Sequence, residues 1–151
     1  MFIEHLIERI REKRSVACMG LDPRMGREAQ IPNYLIKELE DPNEIILEFN
    51  KTLIDNVSDL IPVIKPQIAF YEKYDALDAL KRTIKYAHEN DLLVVLDSKR
   101  NDIGSTSEAY ADSTFKVYGA DACTLNAYFG IDGIKPYLDK YSGKGYFILV
   151  K

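Results

Sequence analysis

Leu92-Leu93-Val94-Val95-Leu96-Asp97-Ser98-Lys99-Arg100-Asn101-Asp102-Ile103-Gly104 holds the transition on which the fold turns: an unbroken apolar run stops and charged side chains follow at once. A short continuous run of Leu and Val is the pattern of a strand buried on both faces of a parallel sheet. On an extended chain, residues two apart point to the same side, so Asp97 and Lys99 share a face, with Asp102 following in the loop. An ammonium held between carboxylates stays protonated and fixed in place, which suits a group that stabilises negative charge developing on a substrate. The plainer alternative is a surface salt-bridge network at a strand end.

Working outward, strand-like and helix-like periods alternate. Phe2, Leu6, Ile7 and Ile10 recur at helical spacing through Arg14. Val16 to Leu21 reads as a buried strand ending at Asp22-Pro23, and a polar, proline-containing insertion runs from there to Glu40. Asp41-Pro42-Asn43-Glu44 combines an N-cap, a proline at the first helical position and a glutamate, which predicts a helix with Ile46, Phe49, Leu53 and Val57 as its apolar stripe. Ile61 to Lys65 is a second strand with a charge at its C-terminal end. Leu77, Leu80, Ile84 and Ala87 mark a helix closing near Asn90, a candidate left-handed cap. Ser105-Thr106-Ser107-Glu108 forms a second capping box, for a helix ending at Gly119. Ala122 to Asn126 is a fourth strand, and a helix over Ile134, Leu138 and Tyr141 leads to a fifth, Gly145 to Lys151.

Alternation at a spacing of roughly 30 residues indicates right-handed βαβ units and a parallel sheet. Asp22, Lys65, Asp97, Lys99 and Asn126 all fall at C-terminal strand ends. In an α/β protein of the (β/α)8 TIM-barrel class that face carries the chemistry around a ring, whereas a doubly wound sheet gathers ligands at one switch point. Charges at the ends of successive strands favour the ring. A barrel takes about 250 residues, so residues 1–151 are expected to form an incomplete barrel domain, about the first five strands of a longer single-domain protein. An apolar last strand with an unpaired edge supports the same expectation.

The totals narrow the class further. With 46% hydrophobic and 29% charged residues in 151, the chain has the composition of a folded globular domain, which argues against disorder. Apolar runs are far shorter than the ~18 residues of a membrane span, and the N-terminus is an amphipathic charged segment instead of a signal peptide, so the cytoplasm is the expected location and no membrane partner is expected. A net charge of −4 without a basic stripe leaves no electrostatic footprint for nucleic acid. Cys18 and Cys123 both fall in strand-like runs, where buried free thiols are expected in preference to a disulfide or metal ligands. His5 and His88 sit on helices with no partner motif, and the ten tyrosines show no basic interleaving, so both types read as surface and packing residues.

The signature Asp-x-Lys-x-x-Asp-Ile, present as Asp97, Lys99, Asp102 and Ile103, resembles that of orotidine 5'-phosphate decarboxylase, in its longer bacterial and protozoal branch. Lys65 within Ile-Lys-Pro-Gln-Ile-Ala-Phe-Tyr-Glu, Gly20-Leu21-Asp22-Pro23 and Thr124-Leu125-Asn126 match that branch in the same order. The resemblance implies decarboxylation of orotidine 5'-monophosphate to uridine 5'-monophosphate in pyrimidine biosynthesis, with no metal or organic cofactor. It implies an alternating charge network of Lys65, Asp97, Lys99 and Asp102, the last reaching into the neighbouring site of a homodimer with shared active sites. Lys99 is expected to stabilise and then protonate the C6 carbanion, with Asp97 against the substrate carboxylate. Lys65 and Asp22 would hold the ribose hydroxyls, Ile103 and Thr106 would contribute from the partner subunit, and Asn126 would contact substrate. The family's phosphate clamp, an arginine and a glutamine on the last loops, and the serine or threonine after strand five lie outside these 151 residues. Two other readings stay open. A magnesium-dependent sugar-phosphate decarboxylase or aldolase of the same superfamily shares Asp-x-Lys-x-x-Asp but is expected to place an acid where this chain has Lys65, which would repel a cation. Alternatively, the chain is an inactive fragment that needs a complementing chain.

Overall fold

A computed structural model describes residues 1–26 and 30–151. The strands are β1 (Cys18–Leu21), β2 (Val63–Pro66), β3 (Leu93–Arg100), β4 (Ala122–Asn126) and β5 (Gly145–Leu149). The helices are α1 (Phe2–Lys13), α2 (Asn33–Glu38), α3 (Pro42–Val57), α4 (Ile68–Lys73), α5 (Leu77–Glu89), α6 (Gly104–Asp112) and α7 (Ile131–Lys140), with a π-helical turn at Ser113–Val117. All five strands are parallel and lie in sequence order, β1-β2-β3-β4-β5. A doubly wound sheet would reverse that order at its switch point; an unreversed series is the arrangement of consecutive barrel strands.

Alternation along each strand divides the side chains between two layers. Leu21, Ile64, Val94 and Leu96 face the helices and join Ile46, Ile54, Leu80 and Ile84 in the larger core. Cys123 and Leu125 face Phe115, Ile134 and Tyr137 in a second core beneath α6 and α7. The intervening positions Val63, Val95 and Ala122 point to the concave side, where α1 covers the N-terminal strand ends through Phe2. Phe2 lies edge-on to Phe147 at 6.3 Å, and a Cβ on Gly145 would stand 2.3 Å from its ring, so that close approach requires glycine. Lys65, Asp97 and Thr124 continue the same inward rows toward the C-terminal ends.

The structure revises several local expectations. Cys123 is buried, which pushes its thiol up to about 12, but Cys18 is exposed because it belongs to the concave row. The insertion after Asp22 contains α2 and sends Ile31 and Leu35 into the core; its residues 27–29 lie outside the described residues. Helix α3 buries Ile45, Leu47 and Ile54 beside the predicted Ile46, a wider face than one stripe because α2 and α5 both pack on it. Asp41 caps α3 through Asn43 N–H, while Glu44 pairs with Arg82 in place of closing a box. The left-handed residue after α5 is Asp91, not Asn90. Helix α6 opens at Gly104, one residue before the predicted box; its N-cap Ile103 gives no side-chain cap, and the Ser107 hydroxyl instead shares its one proton between the carbonyls of Asp102 and Gly133.

At the N-terminal strand ends, Asp121 ties three strands together. Its carboxylate accepts from Val94 N–H at 2.9 Å and lies 2.9 Å from His88 Nε2, while its backbone carbonyl accepts from Gly145 N–H. Burial opposes its ionisation, but His88 and the Val94 amide outweigh that and hold its carboxyl below the ordinary carboxylate range. Asp121→Ala orphans a buried amide, for which the expected loss is about 1–3 kcal/mol. A urea titration should show a lower midpoint at unchanged slope, and His88→Ala, whose partner keeps the Val94 bond, should cost less.

Candidate active site

Strand β3 does not end where its apolar run ends; it continues through Asp97 to Arg100. Opposite β4 its register breaks: Leu96 pairs with Cys123 and Arg100 with Leu125, so Asp97, Ser98 and Lys99 on one strand face Thr124 alone on the other. Such a bulge bends the strand and re-aims side chains. Lys99 sits at its far end with φ 49°, a left-handed conformation that costs a non-glycine residue about 1–2 kcal/mol. That turn brings its ammonium back onto Asp97, Nζ to Oδ1 at 2.5 Å.

Asp97 is the centre of the cluster and is 5% exposed. Lys99 Nζ and the Thr124 hydroxyl, at 2.7 Å, donate to Oδ1; Lys65 Nζ at 3.0 Å and Gln67 Nε2 at 3.2 Å donate to Oδ2. An ionised carboxylate offers about four acceptor positions, and here each oxygen receives two donors. Burial by itself would raise the Asp97 carboxyl, but the hydrogen bonds from Lys99, Thr124 and Lys65 outweigh it and hold the group below the ordinary carboxylate range. The two ammonium groups remain partly open, with side chains 36% exposed for Lys65 and 42% for Lys99. The charge order is therefore the reverse of the simplest sequence expectation: within one chain a carboxylate is held between two ammonium groups.

Asp102 forms no ion pair with Lys99, whose partner is Asp97. Its carboxylate accepts from the N–H of Ile103 at 2.8 Å, in a loop fixed from behind by Ser107, and by Asn101, whose amide donates to the carbonyl of Asn126. Gly133 packs so tightly behind this loop that a Cβ there would stand 2.9 Å from the Asp102 carbonyl oxygen. Ile103 and Thr106 are exposed. Asn126 is exposed too, with its side chain accepting from Tyr128 N–H. Asp22 follows β1; its Oδ1 is buried without a hydrogen-bond partner among the described residues and lies 3.8 Å from where a Cβ on Gly20 would stand. Arg100 is structural, paired with Glu72 at 2.5 Å and placed over the Tyr110 ring. Thr124 and Gln67 carry no charge signal in the sequence that would mark them as members of this cluster.

Cys18, Val63, Lys65, Val95, Thr124 and Phe147 help to line one cavity of about 250 Å3 on the concave side, apolar except at the lysine and threonine. Among the described residues no three His, Cys, Asp or Glu side chains gather as a metal site, and no helix is long and apolar enough to cross a membrane.

Residues 17–151 match the model of the orotidine 5'-phosphate decarboxylase / HUMPS family. The chain is similar to an orotidine 5'-phosphate decarboxylase of Polaromonas naphthalenivorans, 40% identical over 152 residues, covering 99% of this chain and 51% of the relative. Another, from Petrotoga mobilis, is 41% identical over 157 residues, covering 100% and 53%. Among solved structures, the OMP decarboxylase of Leishmania donovani superposes with a TM-score of 0.82 at 33% identity, over 99% of this chain and 53% of that one. The chain spans about half the length of the curated relatives it matches. The expected barrel fold is thereby confirmed, with these five strands as its contribution.

Proposed function

The chain belongs to the orotidine 5'-phosphate decarboxylase / HUMPS family, and on that premise we propose that it carries the decarboxylation centre for orotidine 5'-monophosphate. The observation that carries this reading is the Lys65–Asp97–Lys99 array, a buried, fully ligated carboxylate between two ammonium groups that keep an open side. Loss of carbon dioxide from C6 leaves the bonding pair on a ring carbon with poor delocalisation, so stabilisation must come from charge already in place. Lys99 supplies that charge and then transfers a proton to C6, yielding uridine 5'-monophosphate. Asp97, kept anionic by its donors, orients Lys99 and lies against the departing carboxylate.

Lys65, whose ammonium keeps an open side, holds the ribose hydroxyls together with Asp22 at the end of β1. Asn126 contacts substrate from the end of β4. A magnesium-assisted variant is disfavoured by the donor set, since the Lys65 ammonium already occupies the Asp97 oxygen a cation would need. In this reading residues 1–151 are part of one barrel domain, and the phosphate clamp lies in polypeptide beyond them. The proposal also puts the protein in the cytoplasm, where free thiols such as Cys18 and Cys123 stay reduced.

The test is carbon dioxide release from orotidine 5'-monophosphate by the polypeptide that joins this chain to the remaining strands, with these 151 residues assayed alongside. Turnover by the longer protein alone is expected; none from either would overturn the reading, and turnover by the 151 residues would refute the placement of essential groups elsewhere.

The exposure of Ile103 and Thr106 beside a half-buried Asp102 supports a homodimer with shared sites, in which Asp102, Ile103 and Thr106 complete the partner's pocket. Mixing Asp102→Ala with Lys99→Ala protein should then restore up to about a quarter of wild-type activity, because each heterodimer regains one intact site. No recovery from verified heterodimers would show that the sites are not shared.

A further inference from the structure

We propose that Thr124 is a positioning residue, whose hydroxyl holds the β3 bulge and the Asp97 carboxylate together and so fixes the Lys99 ammonium where the chemistry needs it. The kinetic side of this inference rests on the decarboxylase reading, and the structural side on geometry alone. At the bulge, the N–H groups of Ser98 and Lys99 both donate to Thr124 Oγ1, each at 3.0 Å. A hydroxyl has two acceptor positions and one proton. With both acceptor positions filled by amides, the proton goes to Asp97 Oδ1 at 2.7 Å, the oxygen that also receives Lys99 Nζ.

A closed ring results: the Lys99 amide binds the hydroxyl, the hydroxyl binds the carboxylate, and the carboxylate binds the ammonium of that same Lys99. The left-handed turn at Lys99 lies inside this ring, so its backbone conformation and its ammonium position are set together. Thr124 is 8% exposed, which leaves little room for water to take over the three bonds. The neighbouring strand thus satisfies the amides that the bulge releases from the ladder, with the one side chain that faces it.

Thr124→Val keeps the shape and removes the hydroxyl; Thr124→Ser keeps the hydroxyl. Both are made in the decarboxylating protein. In Thr124→Val, hydrogen exchange at the Ser98 and Lys99 amides should quicken about tenfold or more relative to the other strand amides, and Thr124→Ser should match wild type. The kcat should fall about 10- to 100-fold in the valine variant with KM nearly unchanged, and recover in the serine variant. Wild-type exchange in Thr124→Val, unchanged kcat, a KM rise that accounts for the loss, or a serine variant as impaired as the valine would each overturn the proposal. Should the valine variant not fold, Thr124→Cys, with a weak hydrogen-bonding atom of similar size, is read the same way. If wild type itself released no carbon dioxide, the functional reading would fail, and the exchange rates would still decide whether Thr124 holds Lys99.

Discussion

Lys99→Ala is expected to lower kcat/KM for orotidine 5'-monophosphate by at least about a thousandfold, with the protein still folded. Two losses combine at that position: the preorganised positive charge beside C6, and the proton that C6 must receive. Neither is replaced by Lys65, whose ammonium lies on the other carboxylate oxygen. Stability should fall by about 1–3 kcal/mol, because the Lys99 side chain is 42% exposed but its partner Asp97 is buried and loses one of its four donors. Alanine also inherits the left-handed backbone without relieving it. Lys99→Arg separates the two losses, since guanidinium keeps the charge but holds its proton too tightly to give it up. An arginine variant as slow as the alanine variant would assign most of the effect to proton transfer. Single-turnover carbon dioxide release checks both, and a loss below about tenfold for Lys99→Ala would remove Lys99 from the chemistry.

The legible part of this molecule is the part governed by period and charge. Runs such as Leu92 to Leu96 announce parallel strands, and Asp97, Lys99 and Lys65 announce themselves because charge at the end of a buried strand is costly without a purpose. The bulge between Leu96 and Arg100 was not legible, since nothing in Asp-Ser-Lys marks a left-handed residue that is not glycine. Thr124 stayed hidden for a related reason: threonine is an ordinary strand residue, and only the register break shows that it faces three residues at once. The capping box at Ser105 failed because Gly104 turned the chain a residue earlier, freeing Ser107 to bond the Asp102 and Gly133 carbonyls. Cys18 is exposed, not buried as its apolar neighbours suggest, because alternation on an edge strand puts every second residue on the concave side, which the strand's own sequence does not disclose.

Asp97→Asn should prove nearly as damaging as removal of the lysine, although it changes one atom. The wild-type carboxylate receives four donors and gives none. An amide has one acceptor oxygen and a group with two N–H donors, so half of the site would face donor against donor. The expected consequences are a fall in kcat of about a hundredfold or more and a stability loss of about 1–3 kcal/mol, with the lysines escaping partly to solvent. The acid dependence gives the sharper check. Because the folded Asp97 carboxyl lies below its ordinary value of 3.8, its contribution is complete at neutral pH and is lost as pH falls through the folded value. The urea midpoint difference between wild type and Asp97→Asn should therefore hold constant above about pH 5 and shrink below about pH 4. A difference that widens on acidification would mean that burial outweighs the four donors and raises the Asp97 carboxyl above its ordinary value, contrary to a carboxylate held anionic by its donors.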